Sequence, residues 1–303
     1  MDTVIWIIFA LLVLLLLAAA AVYRLTFSKK GYTNQKLLDD IRKAYGPKLR
    51  EVEAWYAQQP FRTVHLRSRD GLDLVGYYLP HPDARGAVLF AHGYRGSPKD
   101  GAIVARYYAE KGCSVLMICQ RAHGESQGKT ITFGALERQD CLLWADWLAQ
   151  QEPGKGILLH GLSMGAATVL FCADKVSPAV KGIVADCGYT SPWYEVAHVL
   201  RKTAHLPPYP ILPICDLFCR FFGHFSMVQV NAVNTLAFAK VPVLLIHGEA
   251  DDFVPYAMGQ ENARACSMLA DFISVPGANH ATASLVDPDR VYSAMDRLME
   301  RVL

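Results

Sequence analysis

A chain of 303 residues is long enough to bury one large core, and its 52% hydrophobic and 19% charged content is apolar for a water-soluble protein. A formal net charge of +2 gives no basic excess for a polyanion to meet, so nucleic acid is not an expected partner. Eight cysteines with no CxxC pair and no Cys/His ligand spacing argue against a disulfide framework and against a metal centre, and favour a reducing compartment.

The apolar excess starts at the amino terminus. Val4 to Tyr23 runs without an acid or a base, long enough to cross a hydrocarbon core as a helix. Arg24, Lys29, Lys30, Lys36, Arg42 and Lys43 follow it, while only Asp2 and the terminus precede it. That bias predicts an uncleaved single-pass anchor with the body on the cytoplasmic side. A cleaved signal peptide is the rival, since Ala18 to Ala21 offer small-residue cleavage sites, but the positive n-region is missing.

Residues 1–30 are therefore expected to be a transmembrane anchor with a basic flank, 31–60 an amphipathic helical segment, and 61–303 the body. Between Thr33 and Gln59 the periodicity predicts two short helices broken at Gly46-Pro47. Leu37, Leu38, Ile41 and Tyr45 form one stripe, and Val52, Trp55 and Tyr56 the other. From Phe61 the pattern alternates: Val64 and Leu66, then Asp70-Gly71, then Leu72, Leu74 and Tyr77, a hairpin signal.

Short apolar strands then alternate with helices. Strands are expected at 87–91, 114–119, 156–160, 181–185, 241–246 and 271–275, and helices at 99–111, 136–150, 164–175, 255–270 and 287–302. Strands apolar throughout and separated by helices imply a parallel sheet covered on both faces. Residues 188–239 break the rhythm with five prolines and the cluster Phe218, Phe221, Phe222 and Phe225. They are too apolar to remain solvated, so a helical cap is expected, its aromatics either lining a pocket or forming the cap's own core.

Three strands end in His-Gly, at His92, His160 and His247. Ligands of open α/β sheets bind beyond the carboxyl ends of the strands, so these turns converge on one crevice. The middle one continues as Gly-Leu-Ser-Met-Gly, Gly161 to Gly165, which fits the G-x-S-x-G elbow that presents a serine at a sharp strand-to-helix turn. A serine hydroxyl needs a base to take its proton, and that base needs an orienting carboxylate. Downstream, "HGEADDFVP" offers Glu249, Asp251 and Asp252, and "FISVPGANH" ends in His280, giving the order serine, acid, histidine. The N–H groups of Met164 and Tyr94 are the expected oxyanion donors. His92, His160 and His247 are expected to stiffen their turns, and Arg121 and Glu125 to be structural ion-pair partners.

From Phe61 onward the chain resembles the bacterial α/β-hydrolase superfamily, particularly its anchored members with an "RAHGES-G" turn, here Gln120 to Lys129. "HGEADDFVP" is similar to the family's HG-x-x-D-x-x-V-P and "GANH" to its Gly-x-x-His ending. The resemblance implies Ser163, Asp251 and His280 as the triad. It also implies an α/β-hydrolase fold, with a mostly parallel central sheet flanked by helices, the cap at about 188–239 and the transmembrane helix in front. The family often has Asp where this chain has Gln120. The expected activity is serine-dependent hydrolysis of carboxylic esters of hydrophobic acyl groups, without a cofactor. The alternatives are an amide or peptide hydrolase with the same triad and a non-catalytic anchored binding protein. The expected partners are a small acyl substrate and the membrane.

Overall fold

The computed structural model describes residues 2–31 and 35–303. Its elements in chain order begin with helix α1 (Asp2–Phe27), helix α2 (Gln35–Gln58), strands β1 (Arg62–Arg67), β2 (Asp73–Leu79) and β3 (Gly86–Ala91), helix α3 (Ala102–Glu110), strand β4 (Cys113–Ile118) and helix α4 (Glu137–Gln151). Strand β5 (Ile157–Leu162), helix α5 (Met164–Leu170) and strand β6 (Val180–Asp186) follow, then three cap helices, α6 (Pro192–Ala204), α7 (Pro208–Gly223) and α8 (Ala232–Leu236). The chain closes with β7 (Val243–Gly248), α9 (Tyr256–Ala265), β8 (Leu269–Val275), α10 (Ala283–Val286) and α11 (Pro288–Val302).

The strands form one eight-stranded sheet in the order β1-β2-β4-β3-β5-β6-β7-β8. β2 lies antiparallel to both β1 and β4, and every pair from β3/β4 onward is parallel. Each residue of β3, β4 and β7 is buried, because helices cover both faces of a parallel sheet. One face packs α4, α5, α8 and the end of α1 around Leu89, Leu159, Trp144 and Phe171. The other packs α3 and α11 around Phe90, Tyr108, Leu244 and Met295, with Trp55 and Tyr56 of α2 beside them.

Local chemistry sets the element ends. The β1–β2 turn holds Gly71 at φ +86°, a left-handed conformation that glycine adopts without a Cβ clash. Pro192 and Pro288 open α6 and α11 behind the N-caps Ser191 and Asp287, whose side chains accept from Tyr194 N–H and Arg290 N–H.

Two expectations are corrected. The two helices expected on either side of Gly46-Pro47 are one continuous α2 with Pro47 inside it. Proline forfeits one helical bond and crowds the carbonyl a turn back, but Gly46 has no Cβ to collide with the ring, which removes one of the clashes that favour a break there. The start of that segment at Thr33 falls outside the described residues, as do the side chains of Leu37 and Leu38. The helices expected to run to residues 175 and 270 end at Leu170 and Ala265. At the second of these Cys266 turns extended (ψ 111°), and β8 starts at Leu269.

The cap aromatics, expected to line a pocket or to form the cap's own core, do pack in part on one another, with Phe218 and Phe222 at 6.0 Å. They also meet α1, a contact the sequence did not signal: Tyr23 lies 6.3 Å from Phe218 and 6.1 Å from Phe222, and Phe27 lies 5.5 Å from Phe225. Phe27 is fully buried, and Ser28 bridges to Thr130 while Ile131 N–H donates to the Phe27 carbonyl. The last turn of the apolar helix is therefore part of the body's core, inside the span 1–30 assigned to the anchor.

Candidate active site

Ser163 sits between β5 and α5 at φ 55° and ψ −115°, a conformation that costs a non-glycine residue of order 1–3 kcal/mol. Its flanking glycines make the turn sterically possible. A Cβ on Gly161 would stand 2.1 Å from the Gly165 carbonyl oxygen, and one on Gly165 would stand 2.0 Å from that of Ala91. The turn thus packs backbone against backbone and pushes the serine outward.

His280, in the turn after β8, places Nε2 2.8 Å from Ser163 Oγ. Its Nδ1 is 2.8 Å from Asp251 Oδ2, in the turn after β7. Asp251 is held from the other side: Phe253 N–H and Val254 N–H donate to Oδ1 at 3.0 and 2.9 Å. Burial works to raise its pKa, but the imidazoles of His280 and His247 and the hydrogen bonds to them prevail and hold the carboxyl below the ordinary carboxylate range. Asp252 points the other way, exposed and paired with Lys202 of α6 at 2.7 Å. Glu249 is exposed and accepts from Ser274 Oγ. Of the three acids in the turn, only Asp251 meets the imidazole.

The arrangement can move a proton. With Asp251 ionised, His280 keeps its Nδ1 proton directed at Oδ2 and offers the Nε2 lone pair to the Ser163 hydroxyl.

The turn after β3 abuts the serine. A Cβ on Gly93 would lie 3.4 Å from Ser163 Cβ, which brings the next residue, Tyr94, to the rim. Met164 heads α5, where the helix dipole favours negative charge. Among the described residues, neither the Tyr94 nor the Met164 N–H donates to a backbone or side-chain acceptor.

The three histidines of the His-Gly turns are buried. Burial, reinforced by neighbouring His123, pushes His92 down to about 3, so the ring is neutral. It donates from Nδ1 to the Gly93 carbonyl at 2.8 Å and accepts at Nε2 from Gln120 N–H at 3.2 Å. Gln120 also donates to the His92 carbonyl and accepts from Thr168, so it braces this turn. His160 lies 3.1 Å from the Tyr108 hydroxyl, and His247 Nε2 donates to the Val254 carbonyl.

Arg121 is not paired with Glu125. It is buried and forks onto Asp140 and Asp70. The β1–β2 turn supplies Asp70 and the first turn of α4 supplies Asp140, while Glu125 stays exposed.

Sequence reasoning missed a second layer. His123 Nε2 accepts from Arg95 N–H at 3.0 Å, and the Arg95 guanidinium donates to the Leu25, Ser28 and Lys29 carbonyls at the end of α1. Tyr94 O–H donates to the Thr26 carbonyl at 2.7 Å. The turn beside Ser163 is thereby tied to the end of α1, across about seventy residues that carry no sequence signal for the contact. Asp186, at the end of β6, was also missed. It is buried, its Oδ1 has no partner among the described residues, and burial pushes it up to about 6 against the lowering effect of His247 and His280. Cys187 Sγ lies within 4.8 Å of ligand atoms of Asp251 and His280. Those two are already joined to each other, and burial holds the thiol protonated.

The sheet order and the elbow can be set beside solved structures. An esterase of Pyrococcus furiosus, Pf2001, matches with a TM-score of 0.65 at 25% identity over 80% of this chain and 92% of that one. The chain has the α/β-hydrolase fold. An acylaminoacyl peptidase of Pyrococcus horikoshii shares this fold too, with a TM-score of 0.58 at 16% identity over 82% of this chain and 43% of that one. The model of a family described as Serine aminopeptidase, S33, matches residues 82–213, a stretch that includes the elbow and stops before Asp251 and His280. Among curated proteins, YqkD of Bacillus subtilis is 28% identical over 226 residues, 74% of each chain. Bem46 of Schizosaccharomyces pombe is 23% identical over 202 residues, 64% of this chain and 62% of that one.

Proposed function

We propose that this chain is a serine hydrolase that cleaves carboxylic esters of hydrophobic acyl groups through an acyl-enzyme on Ser163. The observation that carries the reading is His280 spanning Ser163 Oγ and Asp251 Oδ2, 2.8 Å from each. In the proposed cycle Ser163 attacks the ester carbonyl while His280 takes its proton, and the oxyanion is held by the N–H groups of Met164 and Tyr94. His280 then returns the proton to the departing alcohol, and water repeats the sequence to release the acid. No cofactor enters these steps.

The likeness to an esterase supports an ester substrate. The family model's description favours a second reading, an amide or peptide bond cleaved by the same three residues. The two differ in whether His280 protonates an amine leaving group well enough. We assign α1 as an uncleaved anchor with the body on the cytoplasmic side, a reading supported by the cations following Tyr23 and by eight free cysteines.

The test is labelling of the full chain with a fluorophosphonate. Ser163 is expected to carry the adduct and Ser163→Ala none; an unlabelled native chain would remove the enzyme reading. Turnover of acyl esters of graded chain length against matching anilides decides between the two substrate classes.

A further inference from the structure

Large exposed apolar residues outside α1 are not scattered. Among the described residues, eight of the eleven lie in the cap, including Tyr209, Leu217, Phe221, Phe222 and Phe238. Their centre is α7, where Pro213, Leu217 and Phe221 fall on one stripe at four-residue spacing, with Leu217 51% and Phe221 74% exposed. An exposed apolar stripe of this kind on a folded body marks a contact surface.

Its neighbour says which surface. α7 packs along α1, whose own apolar side chains are exposed from Val4 to Leu17 and whose composition suits a membrane span. The exposed stripe of α7 therefore runs beside the apolar helix α1. Between the two helices lies a crevice of about 420 Å³ walled by Tyr23, Phe218 and Phe222, with Arg24 and Lys129 at its edge. Both cations are exposed and have no ion-pair partner among the described residues. An apolar slot with a cationic edge at the end of a membrane helix matches a phospholipid in both halves, hydrocarbon against the rings and an anionic headgroup against the cations.

We propose that the outward face of α7 is a second membrane contact. The cap lies in the leaflet that α1 enters, and an acyl chain of an anionic phospholipid fills the α1–α7 crevice with its headgroup on Arg24 and Lys129. The inference rests on the reading of α1 as a membrane anchor. It deepens the proposed function, because the end of α1 is bonded to the Tyr94–Arg95 turn beside Ser163. The hydrolase rim then stands at the bilayer surface, and its substrates are esters dissolved in or exposed on that surface.

The experiment uses the full chain reconstituted in phosphatidylcholine vesicles and in mixed phosphatidylcholine–phosphatidylglycerol vesicles. Benzoylphenylalanine replaces Phe221, Leu217 or, as control, the exposed Leu269 at the opposite end of the sheet. After irradiation, positions 217 and 221 are expected to give phospholipid adducts severalfold above position 269. Mass spectrometry should show the adducts enriched in phosphatidylglycerol, an enrichment that Arg24→Gln with Lys129→Gln abolishes. Lipid adducts no more frequent at 217 and 221 than at 269, or adducts to a second protein chain instead, overturn the membrane contact. Unchanged phosphatidylglycerol enrichment in the double variant overturns the headgroup assignment. Alkaline washing separates the two readings. A chain that stays with the vesicles but gives no adduct at 221 sinks the cap contact alone, and a chain that washes off sinks the anchor with it.

Discussion

His280 is placed between a hydroxyl and a carboxylate, and the neighbouring carboxylates are disposed of by geometry. Asp251 is buried under two backbone N–H groups, whereas Asp252, one residue on, is tied to Lys202 in solvent. Adjacent residues of an extended turn cannot both face one imidazole. Asp251→Asn is therefore expected to lower ester turnover by about 10⁴-fold, the scale on which a wrongly held tautomer acts. Asp252→Asn should leave kcat unchanged, and steady-state kinetics on both variants checks the pair. A different acid gives a stability prediction. Asp186 rises from the ordinary carboxylate value to about 6 in the folded chain. The folded state thus holds its proton more tightly than the unfolded one, and stability falls as pH rises between roughly 4 and 6, by about 3 kcal/mol in all. Asp186→Asn should be more stable than the native chain at pH 8, with the gap closing near pH 4. Urea unfolding in detergent at the two pH values measures it.

At the scale of elements, the end of α1 and the turn after β3 behave as one unit. Phe27 is enclosed by Phe133 and Phe225, with ring centroids at 5.2 and 5.5 Å, and Phe133 lies tilted against Tyr94 at 4.9 Å. Phe27→Ala is expected to cost about 3–5 kcal/mol, read as a fall in the denaturation midpoint. Arg95 holds three carbonyls at and just beyond the end of α1, those of Leu25, Ser28 and Lys29, with one planar fork, a geometry a lysine ammonium cannot reproduce. Arg95→Lys should shift the Tyr94 N–H and lower kcat about tenfold with little change in KM, short of the ~100-fold cost of deleting an oxyanion donor. A KM rise with kcat intact would show that the fork serves binding alone.

Across the whole molecule, the same contacts decide where the body begins. A chain starting at Gly31 loses Phe27 and the Thr26 carbonyl, while one lacking only residues 2–20 keeps both. The shorter deletion is expected to retain native-like stability and ester turnover in detergent, and the longer one to lose both, as thermal unfolding and kinetics would show. The eight-stranded order brings the turns after β3, β5, β7 and β8 to one rim, because parallel strands all end on the same side of a sheet.

The sequence by itself determined the sheet, the elbow and the candidates for base and acid. Strand-length apolar runs, glycines around a serine, and the short turn motifs that hold the acid and the histidine are local signals, each legible within about ten residues. It also supplied the length and charge flank of the apolar helix. Only the tertiary structure turned Asp251 onto His280 and Asp252 onto Lys202, joined Arg121 to Asp140 and Asp70, ran α2 through Pro47, and set α1 against both α7 and the Tyr94–Arg95 turn. Those outcomes depend on which surfaces meet across long sequence separations, and a contact of that kind leaves no periodicity in either partner alone.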